Sequence, residues 1–222
     1  MSATKFTIHD FPTGPYPGRV RIALQEKNLV PNATFVTVDL FKGEHKTPEF
    51  LKTKSYSGTV PVLELDDGTF ITECTAIIQY LDTLDGNPTL TGATPKEQAL
   101  IHMLNKQAEI EVLDPISVYF HHATPGLGPE VEVYQNNEWG LKQHDRALKG
   151  LRRFDDVLQT RPYVAGDTFT NADITLIGGL LFAGMVNIEI PEDLVALKGW
   201  WERVQQRDSF KNRVTISHPN GL

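Results

Sequence analysis

Hydrophobic and polar positions alternate in two short segments near the start of the chain and follow a helical period between them. Residues 4–10 (TKFTIHD) set Phe6 and Ile8 on one face, and residues 33–40 (ATFVTVDL) are rich in Val, Thr and Phe, so both predict strands. Between them RVRIALQEKNL places Val20, Ala23, Leu24 and Lys27 at helical spacing, with Pro17 just inside the start and Asn28 near the stop. This is the pattern of a βαβ unit. Next, TVPVLELDDGTFI holds two β-rich runs joined by Asp66-Asp67-Gly68, whose glycine can take the positive φ of a short bulged hairpin. Thr72 is expected to cap a helix with Ala76, Ile77, Tyr80, Leu81 and Leu84 on one stripe. Residues 1–85 thus predict βαβ followed by ββα.

Periodicity lapses over residues 86–94, where Gly, Asn, Pro and Thr dominate, which predicts an interdomain linker. From residue 95 to 222 strand signals nearly vanish. Leu141, Leu148, Leu151, Phe154 and Leu158 keep helical phase, as do Leu194, Leu197, Trp201 and Val204, so the second domain is expected to be all helical. Pro115 should bend or stop a helical run from Lys96 to about Phe120, and His121–Val131, with two Pro and two Gly, should be a loop. The apolar stretch Ile174–Val186 is shorter than the roughly 20 residues of a membrane-spanning helix and suits a buried core helix.

Composition narrows the function. With 222 residues, 40% of them hydrophobic and 22% charged, the chain has the make-up of a folded globular protein. The net charge of −7 is evenly spread: residues 1–85 carry eight Lys and Arg against eleven Asp and Glu. No basic stripe is present to neutralise phosphates, which argues against a nucleic-acid partner. The single cysteine, Cys74, cannot form an intrachain disulfide, a Cys-x-x-Cys pair or a multi-cysteine zinc site, so a reducing compartment is permitted, and the adjacent His121 and His122 do not face the same way, so no metal is expected. The opening MSATKFTIHDFP lacks a signal-peptide apolar core, and with no membrane span expected the cytoplasm is the default address.

Three segments in order carry a family resemblance. GEHKTPEFL resembles the segment before the second helix of the cytosolic glutathione S-transferases, SGTVPVLELDDG their Val-Pro hairpin, and TECTAIIQYL the start of their third helix. YVAGDTFTNADITL resembles the capping-box segment of their helical domain, with Thr170 and Asp173 three apart. The resemblance, to bacterial and fungal members, implies an α/β thioredoxin-like N-terminal domain and an all-α C-terminal domain. It also implies a cytoplasmic homodimer that uses glutathione as co-substrate for detoxification without a bound cofactor.

Glutathione brings two carboxylates, an ammonium and a thiol, so its site must supply donors to the acids and favour thiolate over thiol. The resemblance implies that a cis Val60–Pro61 bond turns the Val60 main chain toward the cysteinyl residue; the alternative is an ordinary edge-strand proline. It places the γ-glutamyl carboxylate at the helix start opened by Glu73 and Cys74, with the Glu73 carboxylate near the ammonium. Without it, Glu73 is a favourable first-turn acid and Cys74 a packed small side chain. His45 and Lys46 align with the pair that meets the glycyl carboxylate, or else belong to a solvated charged loop. Thr59 stands where relatives often carry Lys or Gln, and its hydroxyl is too short for that reach.

The activating position departs from the family. The usual Ser, Cys or Thr falls at Gly14, which has no side chain. Tyr16 and, behind it, Thr13 are the remaining hydroxyls, and Tyr16 and Gly18 the remaining amides between Pro15 and Pro17. Lowering a thiol pKa from about 8.5 to about 6.5 takes roughly 2.7 kcal/mol, and a hydrogen bond to a charged group contributes roughly 1.5–3 kcal/mol, so one donor nearly suffices. Tyr16 as a wall of the second-substrate pocket is the rival reading. Tyr119, Phe120 and His122 align with residues lining the pocket for a small hydrophobic electrophile, although core packing explains them equally well. The change at Gly14 also resembles the nu-like relatives that reduce glutathionyl disulfides, and leaves a catalytically silent glutathione-binding protein as a further alternative.

Overall fold

The computed structural model describes residues 4–214, which divide into two compact units: residues up to Gly86 together with the segment from Asp208, and Asn87–Arg207.

In the first unit, β1 (Phe6–Asp10) is followed by α1 (Pro15–Glu26), β2 (Ala33–Thr37), α2 (Pro48–Thr53), β3 (Val62–Leu65), β4 (Phe70–Ile71) and α3 (Cys74–Thr83). The sheet order is β2-β1-β3-β4, with β1 parallel to β2 and antiparallel to β3, and β3 antiparallel to β4. This is the predicted βαβ–ββα arrangement, and Gly68 takes φ 83° in the hairpin. Ile8 and Leu63, opposite each other in register, point to one face and are fully buried. His9 and Val62 point to the other, where Val62 clusters with Val38 and Phe50 of α2.

The start of α3 differs from expectation. Glu73, not Thr72, is its N-cap residue, at φ 67° and ψ 120°, and no side chain caps it. Ala76 is exposed, while Ile77, Ile78 and Leu81 carry the buried stripe.

The segment expected to close the helical domain also lies elsewhere. The short α9 (Asp208–Lys211) packs on α1: the Asn212 and Arg213 carbonyls accept from Gln25 Nε2 (3.4 Å) and Arg21 Nη1 (3.2 Å), and Ser209 donates to Glu26. Arg21 itself is buried in a 2.7 Å pair with Asp10. These contacts span nearly the whole sequence and leave no local periodic signal. The C-terminal part of the domain reading, residues 215–222, lies outside the described residues.

The second unit holds α4 (Pro95–Ala108), α5 (Asp114–Ala123), α6 (Asn137–Leu158), α7 (Asn171–Met185) and α8 (Val195–Gln205). No strand occurs in it among the described residues. Pro115 neither bends nor stops the helix at its own position. The register changes one turn earlier, in a π-turn over Glu109–Leu113, after which Pro115 occupies the first turn of α5, where its missing N–H costs little. His121 and His122 are helical, so the loop begins at Thr124 and not at His121. The predicted linker is only partly a linker: Leu90 and Thr91 are buried, and the Leu90 carbonyl accepts from Asn171 N–H at 2.9 Å.

The α7 helix is buried on nearly every side, as its apolar run predicts. Its start is closed by Asp173, whose carboxylate accepts from Thr170 N–H (2.9 Å), Thr170 Oγ1 (3.2 Å), Val164 N–H (2.9 Å) and the Trp200 indole (3.0 Å). Burial pushes this carboxyl up to about 6 against the pull of those donors. Among the described residues no helix is long and apolar enough to cross a membrane.

Candidate functional site

Strand direction brings the predicted glutathione residues of the first unit together. The strands β1, β2 and β4 all run toward one end of the sheet and β3 runs away from it, so the turn after β1, the entry to β3 and the exit from β4 share that end. That end carries Thr13, Gly14 and Tyr16, then Val60 and Pro61, then Glu73 and Cys74. The loop after β2 starts there as well and leads to His45 and Lys46.

At the first position, Gly14 N–H donates to Phe11 O at 2.9 Å, closing a tight turn into α1. A Cβ on Gly14 would lie 3.0 Å from Pro17 Cδ and 3.2 Å from Phe11 O. The side chain missing from the usual position is therefore also one that the turn has little room for. Gly18 N–H is taken by Gly14 O at 2.9 Å, which removes it from the two amides that the sequence offered to a sulfur. Tyr16 is half-buried and Thr13 exposed.

At the second position, the Val60–Pro61 peptide is cis, as the family pattern implied. Val60 is half-buried beside the Val38–Phe50–Val62 cluster, and Pro61 is buried.

At the third, α3 starts at Glu73, whose side chain accepts no cap hydrogen bond, in a backbone turned by the positive φ of that residue. Glu73 is exposed. Cys74 is 5% exposed, and its Sγ donates to the Tyr16 carbonyl at 3.3 Å, linking the starts of α1 and α3.

The loop before α2 is ordered from within. Asp39 N–H donates to Glu44 Oε2 at 2.7 Å and Lys42 N–H to Asp39 Oδ1 at 3.1 Å. A side-chain bond from Lys42 holds the Asp39 carboxyl below its usual range. His45 and Lys46 then part company, which a uniformly solvated loop would not show: His45 is 5% exposed, whereas Lys46 is exposed and donates through Nζ to Gly58 O at 3.0 Å. Thr59 sits in a group of hydroxyls with Ser55 and Ser57, 2.9 Å from Ser57 Oγ. Ser55 and Ser57 were not singled out from the sequence; the signal available was a serine-rich stretch between two predicted elements.

Tyr119, Phe120 and His122 lie on α5 in the second unit. Tyr119 packs on His144 (5.1 Å between ring centroids) and Phe120 on Phe182 (5.3 Å), so both have packing roles. His122 Nδ1 accepts from Asn136 N–H at 3.0 Å, and the neighbouring His121 is turned to Glu132 at 2.6 Å. No group of three or more His, Cys, Asp or Glu is placed to hold a metal among the described residues.

Comparison with known proteins agrees with this architecture. The glutathione S-transferase N-terminal domain profile matches residues 8–89, and the glutathione S-transferase C-terminal domain profile matches residues 113–208. The chain is 64% identical over 212 residues to Glutathione S-transferase 2 of Saccharomyces cerevisiae, covering 96% of this chain and 91% of the yeast protein. The crystal structure of Gtt2 from Saccharomyces cerevisiae superposes with a TM-score of 0.92 at 64% identity, covering 93% of this chain and 99% of that one. A glutathione S-transferase domain-containing protein of Marinobacter aquaeolei VT8 superposes with a TM-score of 0.89 at 46% identity, covering 92% and 99%. The chain belongs to the glutathione S-transferase family. The thioredoxin-like and helical architecture expected from its three motifs is the one observed.

Proposed function

We propose that the chain is a glutathione transferase that binds glutathione at the shared sheet end of its first unit and directs the thiolate at small hydrophobic electrophiles. The observation carrying this reading is that the start of α3, with Glu73 exposed beside it, and the cis Val60–Pro61 ledge stand at the same end of the sheet. The positive end of the helix dipole favours a carboxylate, the exposed Glu73 suits an ammonium, and main chain beside Val60 suits the peptide between them. Lys46, with His45 behind it, serves the glycyl end with Thr59 as a short hydroxyl. Tyr16 donates to the sulfur, with Thr13 the second hydroxyl in reach of that turn. The thiolate then forms a C–S bond and the leaving group departs with its electron pair, so glutathione is the co-substrate and no resident cofactor is involved.

The protein acts in this reading as a cytoplasmic homodimer. The aromatic Tyr119 and Phe120, with His122, suit an apolar electrophile. The test is turnover of an aryl chloride with glutathione: a glutathione-dependent rise in aryl thioether supports the reading, and no product at millimolar glutathione contradicts it. The crowded Gly14 favours a second reading, reduction of glutathionyl disulfides. A small mixed disulfide consumed faster than the aryl chloride selects it. Binding without turnover of either selects a silent glutathione-binding protein.

A further inference from the structure

One peptide unit of the glutathione-facing loop is gripped from both sides. The Gly58–Thr59 peptide directly precedes Val60. Its carbonyl accepts from Lys46 Nζ at 3.0 Å, and its N–H donates to Ser55 Oγ at 3.2 Å. Ser55 is 1% exposed, while the next residue, Tyr56, is 96% exposed, so the serine is turned inward from an otherwise solvated loop. Its polar groups are all engaged. Ser55 N–H donates to Phe50 O at 3.1 Å near the end of α2, and Ser55 O accepts from Gly58 N–H at 2.9 Å. Its hydroxyl also lies 3.2 Å from Ser57 Oγ and 3.4 Å from Thr59 Oγ1. Gly58, at φ 60°, lets the chain turn here, where a Cβ would meet His45 O at 2.7 Å.

We infer that Ser55 is a positioning residue for the thiol peptide: by fixing the plane of the Gly58–Thr59 peptide against Lys46, it aims the Val60 main chain at glutathione. The inference rests on the proposed glutathione reading of this site. Ser55 touches no substrate. A loop peptide held on one side only is free to rotate, and a main-chain ledge binds a peptide only while its N–H and C=O keep their direction. Ser55 gives α2, the turn and the ledge one common anchor, so removing its hydroxyl loosens the ledge and leaves Thr59 N–H without its acceptor.

The test is steady-state kinetics and calorimetry with glutathione on the full chain, comparing wild type, Ser55→Ala, Ser55→Thr and Ser57→Ala. Losing one buried hydrogen bond corresponds to a change of about tenfold or less. Ser55→Ala should raise Kd and KM for glutathione about fivefold to tenfold, leave kcat at saturating glutathione within about twofold, and leave KM for the second substrate unmoved. Ser55→Thr, which keeps the acceptor, should restore glutathione affinity, and Ser57→Ala, which leaves the Thr59 N–H bond in place, should stay near wild type. Where Ser55→Ala folds poorly, Ser55→Cys is read in its place, because it keeps the volume and supplies a weak acceptor. Unchanged glutathione affinity in Ser55→Ala, or equal losses in kcat and in both KM values, overturns the inference. Failure of the wild type to bind glutathione overturns the function reading instead.

Discussion

Two helix starts in this protein solve the same electrostatic problem in opposite ways. At α7 the start is closed from within: Asp173 accepts from the Thr170 amide and hydroxyl, the Val164 amide and the Trp200 indole and is itself fully enclosed, while the Asn171 amide donates to the Leu90 carbonyl. At α3 nothing of the kind happens. Its N-cap residue, Glu73, sits at φ 67° and contributes no side-chain cap, although a Thr directly before it could have served in a different backbone. The first start is closed within its own unit, whereas the second is the one to which the proposed reading assigns the carboxylate of glutathione. A helix end that closes itself contributes stability, and one that starts from a strained, positive-φ residue is where binding is to be sought.

The largest expected effect tests the closed start. Asp173→Ala leaves buried donors from three segments without an acceptor and should cost about 3–5 kcal/mol in denaturant unfolding. Glutathione affinity of the molecules that remain folded should be unchanged. A loss below about 1 kcal/mol would break the contrast from the α7 side.

Next in size is the sulfur end of the open site. Tyr16→Phe should raise the pKa of bound glutathione thiol by about 1–2 units in a thiolate absorbance titration, because one hydrogen bond to a charged group is lost. An unmoved curve assigns Tyr16 to the wall of the site and shifts thiolate stabilisation to main-chain donors.

A trade is expected at the open start itself. Glu73→Gly removes the side chain that positive φ disfavours, and should raise stability by about 1 kcal/mol while weakening glutathione binding. A variant that loses stability along with affinity would place Glu73 in the scaffold, alongside Asp173.

A pH dependence also belongs to the closed start. Burial raises the native Asp173 carboxyl to about 6, above its ordinary value of 3.8, so between these pH values the folded chain holds the proton more firmly than the unfolded one. Asp173 should therefore make stability fall as pH rises from about 4 to about 6 and add no slope above that. This part of the profile should vanish in Asp173→Asn and persist in Glu73→Gln.

The same contrast marks what could be read from the chain. Thr170 and Asp173 were legible because a capping box is local, three residues apart, and followed by an apolar run. The Val-Pro hairpin and the βαβ unit were legible for similar reasons: turn residues and alternation are near-neighbour signals. Glu73 as N-cap was not, since a non-glycine residue at positive φ is imposed by the surroundings and Thr72 is the better cap by type. Ser55 was hidden in a charged, serine-bearing stretch in which Tyr56, Ser57 and Thr59 are exposed, and only tertiary contact turns it inward. The π-turn likewise escaped: Pro115 was visible as a disturbance, but the helix adjusts one turn before it.

The central claim is that the thiol peptide lies across the Val60 ledge and the start of α3. Its most direct measurement is an amide NMR titration of the full chain with reduced glutathione. The account predicts saturable shifts that are largest at Tyr16, Val60, Glu73 and Cys74. Shifts absent at millimolar glutathione, or gathered at residues outside this sheet end, would contradict it.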